Sequence, residues 1–159
     1  MHGIAATAGV DFLKVCTTGG VFSPADSLED LGWTLDELRV IVHEARARGK
    51  EVMSHSIGTE GIKNAINAGN WSVEHRQMLD EEAVDMFLKN GTYLVPTLSI
   101  VQDLIERVDK MGLTEISKQK MTRIVGMNQD SFRMAAEAGI KIAAGSDYID
   151  DSSQGKNTR

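Results

Sequence analysis

Four residues of this 159-residue sequence combine side-chain chemistry with a recurring placement. They are Lys14 in Phe12-Leu13-Lys14-Val15, His55 in Ser54-His55-Ser56, His75 in Glu74-His75-Arg76 and Asp147 in Gly145-Ser146-Asp147. Each falls at or near the end of a separate short apolar, partly β-branched run. Imidazole and carboxylate groups are good ligands for Zn²⁺ and neighbouring divalent ions. A lysine ammonium is a poor one, because its nitrogen has no free lone pair. A lysine that has reacted with CO₂ to form a carbamate presents two oxygens, which can bridge two ions about 3.5–4 Å apart. The set therefore points to a buried lysine, two histidines and an aspartate around a divalent metal, Zn²⁺ first. Each residue also has an ordinary alternative. Asp147 can cap a following helix, Lys14 can pair with Asp11, and a strand-end histidine can be purely structural. His2 and His43 lack such a context, and His43 falls within a helix, on its surface.

The elements that must hold these residues are marked by glycines. Gly9, Gly49, Gly69, Gly91 and Gly139 each precede an apolar run: Val10–Val15, Glu51–Ser54, Trp71–Val73, Thr92–Leu98 and Ile140–Ala144. Glycine just past a helix end followed by a strand is the usual helix-to-strand junction. Between the runs lie helical patterns. Thr34 and Glu37 form a capping box, and Leu35, Leu38, Ile41, Val42 and Ala45 follow at three- and four-residue steps. A second helix is expected over Thr59–Ala68, and a third from the N-cap Asp80 to Gly91. Two more, Ser99–Met111 and Glu115–Ala138, are broken around Gly112. Five strands alternating with helices imply a parallel sheet with right-handed crossovers. No G-x-G-x-x-G follows the first strand, which disfavours a dinucleotide-binding open sheet. A (β/α) barrel, whose strand ends converge on one site, accommodates the four residues better.

Composition narrows the classes. Charged residues make up 25% and the net charge is −6, so nothing draws the chain to nucleic acid or an anionic membrane. No apolar run approaches the roughly 20 residues of a membrane span. A single cysteine, Cys16, and the absence of a leader pattern at Met1-His2-Gly3-Ile4 are read as a cytoplasmic, reducing location.

Several motifs resemble the amidohydrolase superfamily, in its imidazolonepropionase-like and Xaa-Pro dipeptidase-like branch. They are Phe12-Leu13-Lys14-Val15, Thr18-Gly19-Gly20-Val21-Phe22-Ser23, Ser54-His55, Val73-Glu74-His75, Gly91-Thr92-Tyr93-Leu94-Val95-Pro96-Thr97 and Gly145-Ser146-Asp147, in order and across essentially the whole chain. The resemblance implies an α/β fold, a partial (β/α)8 TIM barrel of five parallel strands, numbered four to eight in the family. It implies that Lys14 is a carboxylated bridging lysine and that His55 and His75 hold the second metal. Asp147 would hold the first and shuttle a proton. The reaction implied is hydrolysis of amide, cyclic amide or dipeptide C–N bonds by metal-activated water, on a small-molecule or dipeptide substrate.

The departures are equally specific. The family's His-x-His of the first strand occurs nowhere in this sequence, and the chain stops at Gln154-Gly155-Lys156-Asn157-Thr158-Arg159, near where the eighth helix would begin. Residues 1–159 are therefore read as a barrel domain truncated at both ends, inactive alone. It would be an inactive fragment or a subunit that self-associates or takes a complementary fragment. Arg76 stands where relatives usually carry glycine, and its guanidinium is a candidate contact for a substrate carboxylate, or else pairs outward with Glu74 or Glu81. A rival enzyme reading makes Lys14 the Schiff-base lysine of a class I aldolase, which leaves His55, His75 and Asp147 without roles.

Overall fold

The computed structural model describes residues 9–107 and 112–147. Four strands, β1 (Phe12–Cys16), β2 (Glu51–Ser56), β3 (Ser72–His75) and β4 (Tyr93–Val95), form one sheet in the order β1-β2-β3-β4. Every pairing is parallel. The helices are α1 (Leu35–Arg46), α2 (Thr59–Ala68), α3 (Glu81–Asn90), α4 (Leu98–Arg107) and α5 (Glu115–Ala138). The segment 108–111 of the expected fourth helix, His2 and the chain end from 148 lie outside the described residues.

Local signals act as the sequence implies. The Thr34 hydroxyl accepts from the Glu37 amide while the Glu37 carboxylate accepts from the Thr34 amide, a complete capping box. Asp80 caps α3 through the Ala83 amide, and Thr114 caps α5 through the Ser117 amide. Gly69, Gly91 and Gly139 end α2, α3 and α5 in the left-handed conformation.

Register decides which side chains share a face. Lys14 lies opposite Met53, Cys16 opposite His55, and His55 opposite Glu74. Leu13, Val15, Val52, Val73 and Leu94 occupy the other face. There Leu13, Val15 and Val52 pack with Leu38, Ile41 and Val42 of α1, and Val73 and Leu94 pack with Ile62, Ile66 and Phe87 of α2 and α3. The helices thus cover one side of the sheet. The opposite side stays open at β1, where Phe12, Lys14 and Cys16 are exposed. Lys14 is therefore not the buried residue expected. Its strand is the sheet edge among the described residues, and no described residue covers it.

The fifth expected strand is reduced to one parallel bridge between Leu94 and Ile142, with the Leu94 amide donating to the Lys141 carbonyl and the Ala143 amide to the Leu94 carbonyl. Its partner β4 is only three residues long. Pro96 has no amide to donate, and Thr97 turns away with φ +46°. The pairing stops there.

Candidate functional site

The carboxyl ends of β2 and β3 and the run leading to Asp147 meet at a cavity of about 530 Å³. Its polar lining residues are Ser23, His55, His75, Gln77 and Asp147. The apolar ones are Val21, Phe22, Ile57, Ile100, Val101, Leu104 and Ile124, with Gly20 beside them. No membrane-spanning helix occurs among the described residues.

His55 reaches the site by alternation, on the same face as Lys14 and Glu74. His75 does not. Two-residue alternation would send its side chain to the helix-covered face with Val73. Instead β3 ends at His75 with φ +78° and continues into Arg76 at +63°, which turns the chain. The His75 and His55 rings lie edge to face, with centroids 4.5 Å apart. His75 Nε2 is 3.8 Å from Asp147 Oδ2, and its Nδ1 meets Thr97 Oγ1 at 2.8 Å. His55 Nε2 faces the Gly19 carbonyl at 3.3 Å. All four non-glycine residues with positive φ among the described residues, His75, Arg76, Thr97 and Asp147, stand at or beside this cavity. Such backbone costs of order 1–3 kcal/mol per residue and concentrates at functional sites.

The electrostatics keep both imidazoles neutral. Burial pushes the His55 pKa down, with the Lys14 charge adding to the effect. Burial also pushes His75 well below its ordinary value, helped by His55, Lys14 and Arg76. A neutral imidazole retains the lone pair that a metal or a proton acceptor role requires. Beside them Glu74 is raised, chiefly by burial. Its Oε1 accepts from the Ser72 hydroxyl at 2.6 Å, and its buried Oε2 has no partner among the described residues.

The donor types fit a divalent ion. Two neutral imidazoles stand side by side with a carboxylate next to one of them. Among the described residues, however, no three His, Cys, Asp or Glu side chains already converge on a single point. Lys14 does not line the cavity, although its charge is felt at His55, His75 and Glu74. Arg76 is fully buried and is absent from the cavity lining. Its Nη1 donates to the His75 carbonyl at 3.0 Å and to Asn128 Oδ1 at 2.9 Å, and its guanidinium carbon lies 5.6 Å from the centre of the Phe132 ring. Burial brings its pKa down to about 10. Glu74 and Glu81, the acids considered as its partners in the sequence, do not bond it.

The β1–α1 connection forms the near wall. Gly20, Val21, Phe22 and Ser23 line the cavity, and Lys120 of α5 holds this loop from behind. The Lys120 Nζ donates to the carbonyls of Gly20 at 3.2 Å, Ser23 at 2.5 Å and Asp26, and pairs with the Asp26 carboxylate at 3.2 Å. Gly19 permits the close fold of the loop, since a Cβ there would run into the Ser27 carbonyl. Lys120 carries no sequence signal beyond residue type, and Thr97 stands out only as the last residue of the motif that begins at Gly91. Both act through contacts distant in sequence.

A family model, the amidohydrolase family, matches residues 5–158. The chain belongs to that family. An ochratoxinase from Aspergillus niger is 32% identical over 139 residues, which is 87% of this chain and 29% of the relative. A solved Xaa-Pro dipeptidase with methionine bound in its active site is 39% identical, with a TM-score of 0.83 over 89% of this chain and 35% of that one. A solved prolidase in complex with N-methylphosphonate-L-proline is 29% identical, with a TM-score of 0.88 over 95% of this chain and 38% of that one. The chain thus spans about a third of the length of the proteins it matches. Its parallel strands and covering helices are part of the TIM barrel of these amidohydrolases, and the strand carboxyl ends are where such a barrel places its chemistry.

Proposed function

We propose that this amidohydrolase chain supplies His55, His75, Asp147 and Lys14 to a metal-dependent site hydrolysing amide, cyclic amide or dipeptide C–N bonds of small substrates. The observation that carries the reading is the His55–His75 pair, with ring centroids 4.5 Å apart, and the Asp147 carboxylate 3.8 Å from His75, all three residues lining the cavity. A divalent ion, Zn²⁺ for this donor set, would supply Lewis acidity to polarise the scissile carbonyl and acidify the attacking water. His55 and His75 would hold it through neutral imidazole nitrogens. Lys14 as its carbamate would add oxygen donors from the open face of β1. Asp147 would accept the proton of the attacking water and pass it to the leaving nitrogen. The apolar wall from α4 and α5 would bind the substrate's hydrocarbon part and exclude water.

The test is metal binding by calorimetry and elemental analysis, in buffer containing bicarbonate. Wild type should retain Zn²⁺ that His55→Ala and His75→Ala lose. Equal retention in all three removes the ligand assignment.

A second reading concerns assembly, and the exposed Phe12, Lys14 and Cys16 face of β1 favours it. An uncovered strand edge and face invite another strand. On this reading the site is completed by a complementary polypeptide or a second copy of this chain, in the cytoplasm. Sedimentation should show association. A monomer that melts cooperatively and binds the ion as tightly as an associated form would refute it.

A further inference from the structure

The turn that delivers His75 is gripped by one face of α5 and tied to the end of β2. Arg76 Nη1 bonds the His75 carbonyl and Asn128 Oδ1 at once. Three residues further along the helix, the Ser131 hydroxyl donates to the Gln77 carbonyl at 2.6 Å. One residue beyond that, Phe132 lies beneath the guanidinium. Asn128, Ser131 and Phe132 are the i, i+3 and i+4 positions of α5, so a single helix face grips residues 75–77. The Arg76 amide completes the grip by donating to the Ser56 carbonyl at 2.9 Å, which ties the turn to the end of β2.

This arrangement explains an expensive choice. Two consecutive side-chain-bearing residues hold left-handed backbone, a conformation that glycine takes without strain. The second is a buried arginine whose Nε and Nη2 find no acceptor among the described residues. Arg76 itself does not line the cavity. Its bonded atoms all serve the backbone of His75 and the side chain of α5.

We infer that Arg76 is a positioning residue: through Asn128 it fixes the His75 carbonyl to α5 and so sets the direction of the His75 ring toward His55 and Asp147. The role of that ring as a ligand rests on the function proposed above; the strut itself does not. Partners behind metal ligands typically change affinity by about 10–100-fold when removed.

The experiment reads the histidine side chains directly, by imidazole ¹⁵N–¹H correlation spectra of the full chain at one fixed pH without metal. The signals are assigned with His55→Gln and His75→Gln. Asn128→Ala and Arg76→Gly should move the His75 signals, while Asn128→Asp, which keeps the acceptor oxygen, should restore the wild-type pattern. Zn²⁺ affinity should follow the same order, with a loss of about tenfold or more in the first two variants. A purely structural role would lower the melting midpoint and leave the His75 signals of the folded variants in place. That result overturns the proposal, as does failure of Asn128→Asp to restore the pattern. Should Asn128→Ala not fold, Asn128→Ser is read in the same way. If wild type binds no Zn²⁺ yet the His75 signals still respond, the ligand assignment fails and the strut stands.

Discussion

The Nε2 of His75 lies 3.8 Å from Oδ2 of Asp147, although 72 positions separate the two residues and each reaches the other through left-handed backbone. That pair joins the end of β3 to the run after the Leu94–Ile142 bridge. It is where the proposed ligand and the proposed proton carrier meet. Asp147→Asn keeps the shape and removes the charge. Its expected result is Zn²⁺ binding weakened by about an order of magnitude or more, with a melting midpoint close to wild type. Unchanged affinity would take Asp147 out of the site.

The buried histidines set the sign of the acid response. Their pKa values are lowered in the folded chain, so the unfolded chain binds more protons below its ordinary histidine value of 6.5. Stability from this source is fully present above about pH 6.5 and is lost as pH falls toward the folded values. Glu74 acts in the opposite sense, since its raised pKa favours the folded chain at low pH and that contribution is lost as pH rises through the folded value. The expected difference is therefore isolated by comparing wild type with His75→Gln. The variant's melting midpoint should fall less between pH 7 and pH 5.5.

Lys120 carries the near wall of the cavity on one ammonium group. Its side chain is 12% exposed and its nitrogen is surrounded by loop oxygens. Lys120→Met keeps the stem and removes the donors. A loss of about 1.5–3 kcal/mol in unfolding free energy is expected, the scale of a hydrogen bond to a charged group. Limited proteolysis should then cut within residues 19–31 faster than in wild type. An unchanged cleavage rate would show that the loop holds itself.

Gly145 separates packing from chemistry. A Cβ there would collide with the Val95 side chain, so Gly145→Ala must shift that side chain or the backbone that carries either residue. Destabilisation of about 1–3 kcal/mol is expected from such overpacking. Thr34→Ala serves as the control. It removes the α1 cap at a cost of about 1 kcal/mol by thermal or urea unfolding and should leave Zn²⁺ binding untouched.

What the sequence revealed follows from how local the cause is. Helices Thr59–Ala68 and Glu115–Ala138 end where their closing glycines, Gly69 and Gly139, imply, because a helix end is decided within four or five residues. The His55 and His75 rings stand 4.5 Å apart, but His75 reaches that place through a left-handed turn that strand alternation does not announce. The Thr92–Leu98 run is shortened to Tyr93–Val95, since Pro96 and the turn at Thr97 end the pairing. Burial was less legible. Lys14 sits in an apolar strand, but its exposure depends on what stands across the open face. Arg76 offers the sharpest case. Its neighbours Glu74 and Glu81 are near in sequence, while the side-chain acceptor it bonds is Asn128, 52 residues away. A contact at that separation leaves no periodicity or cap to read.

Cys16 gives the open face an experimental use. It is the sequence's sole thiol, it is exposed, and it stands opposite His55 in the β1–β2 register. A fluorophore or spin label attached there needs no engineered site and reports from one strand away on the imidazole pair. Quenching or relaxation of that label by Cu²⁺ or Co²⁺ would turn the strand neighbour of His55 into a gauge of ion arrival.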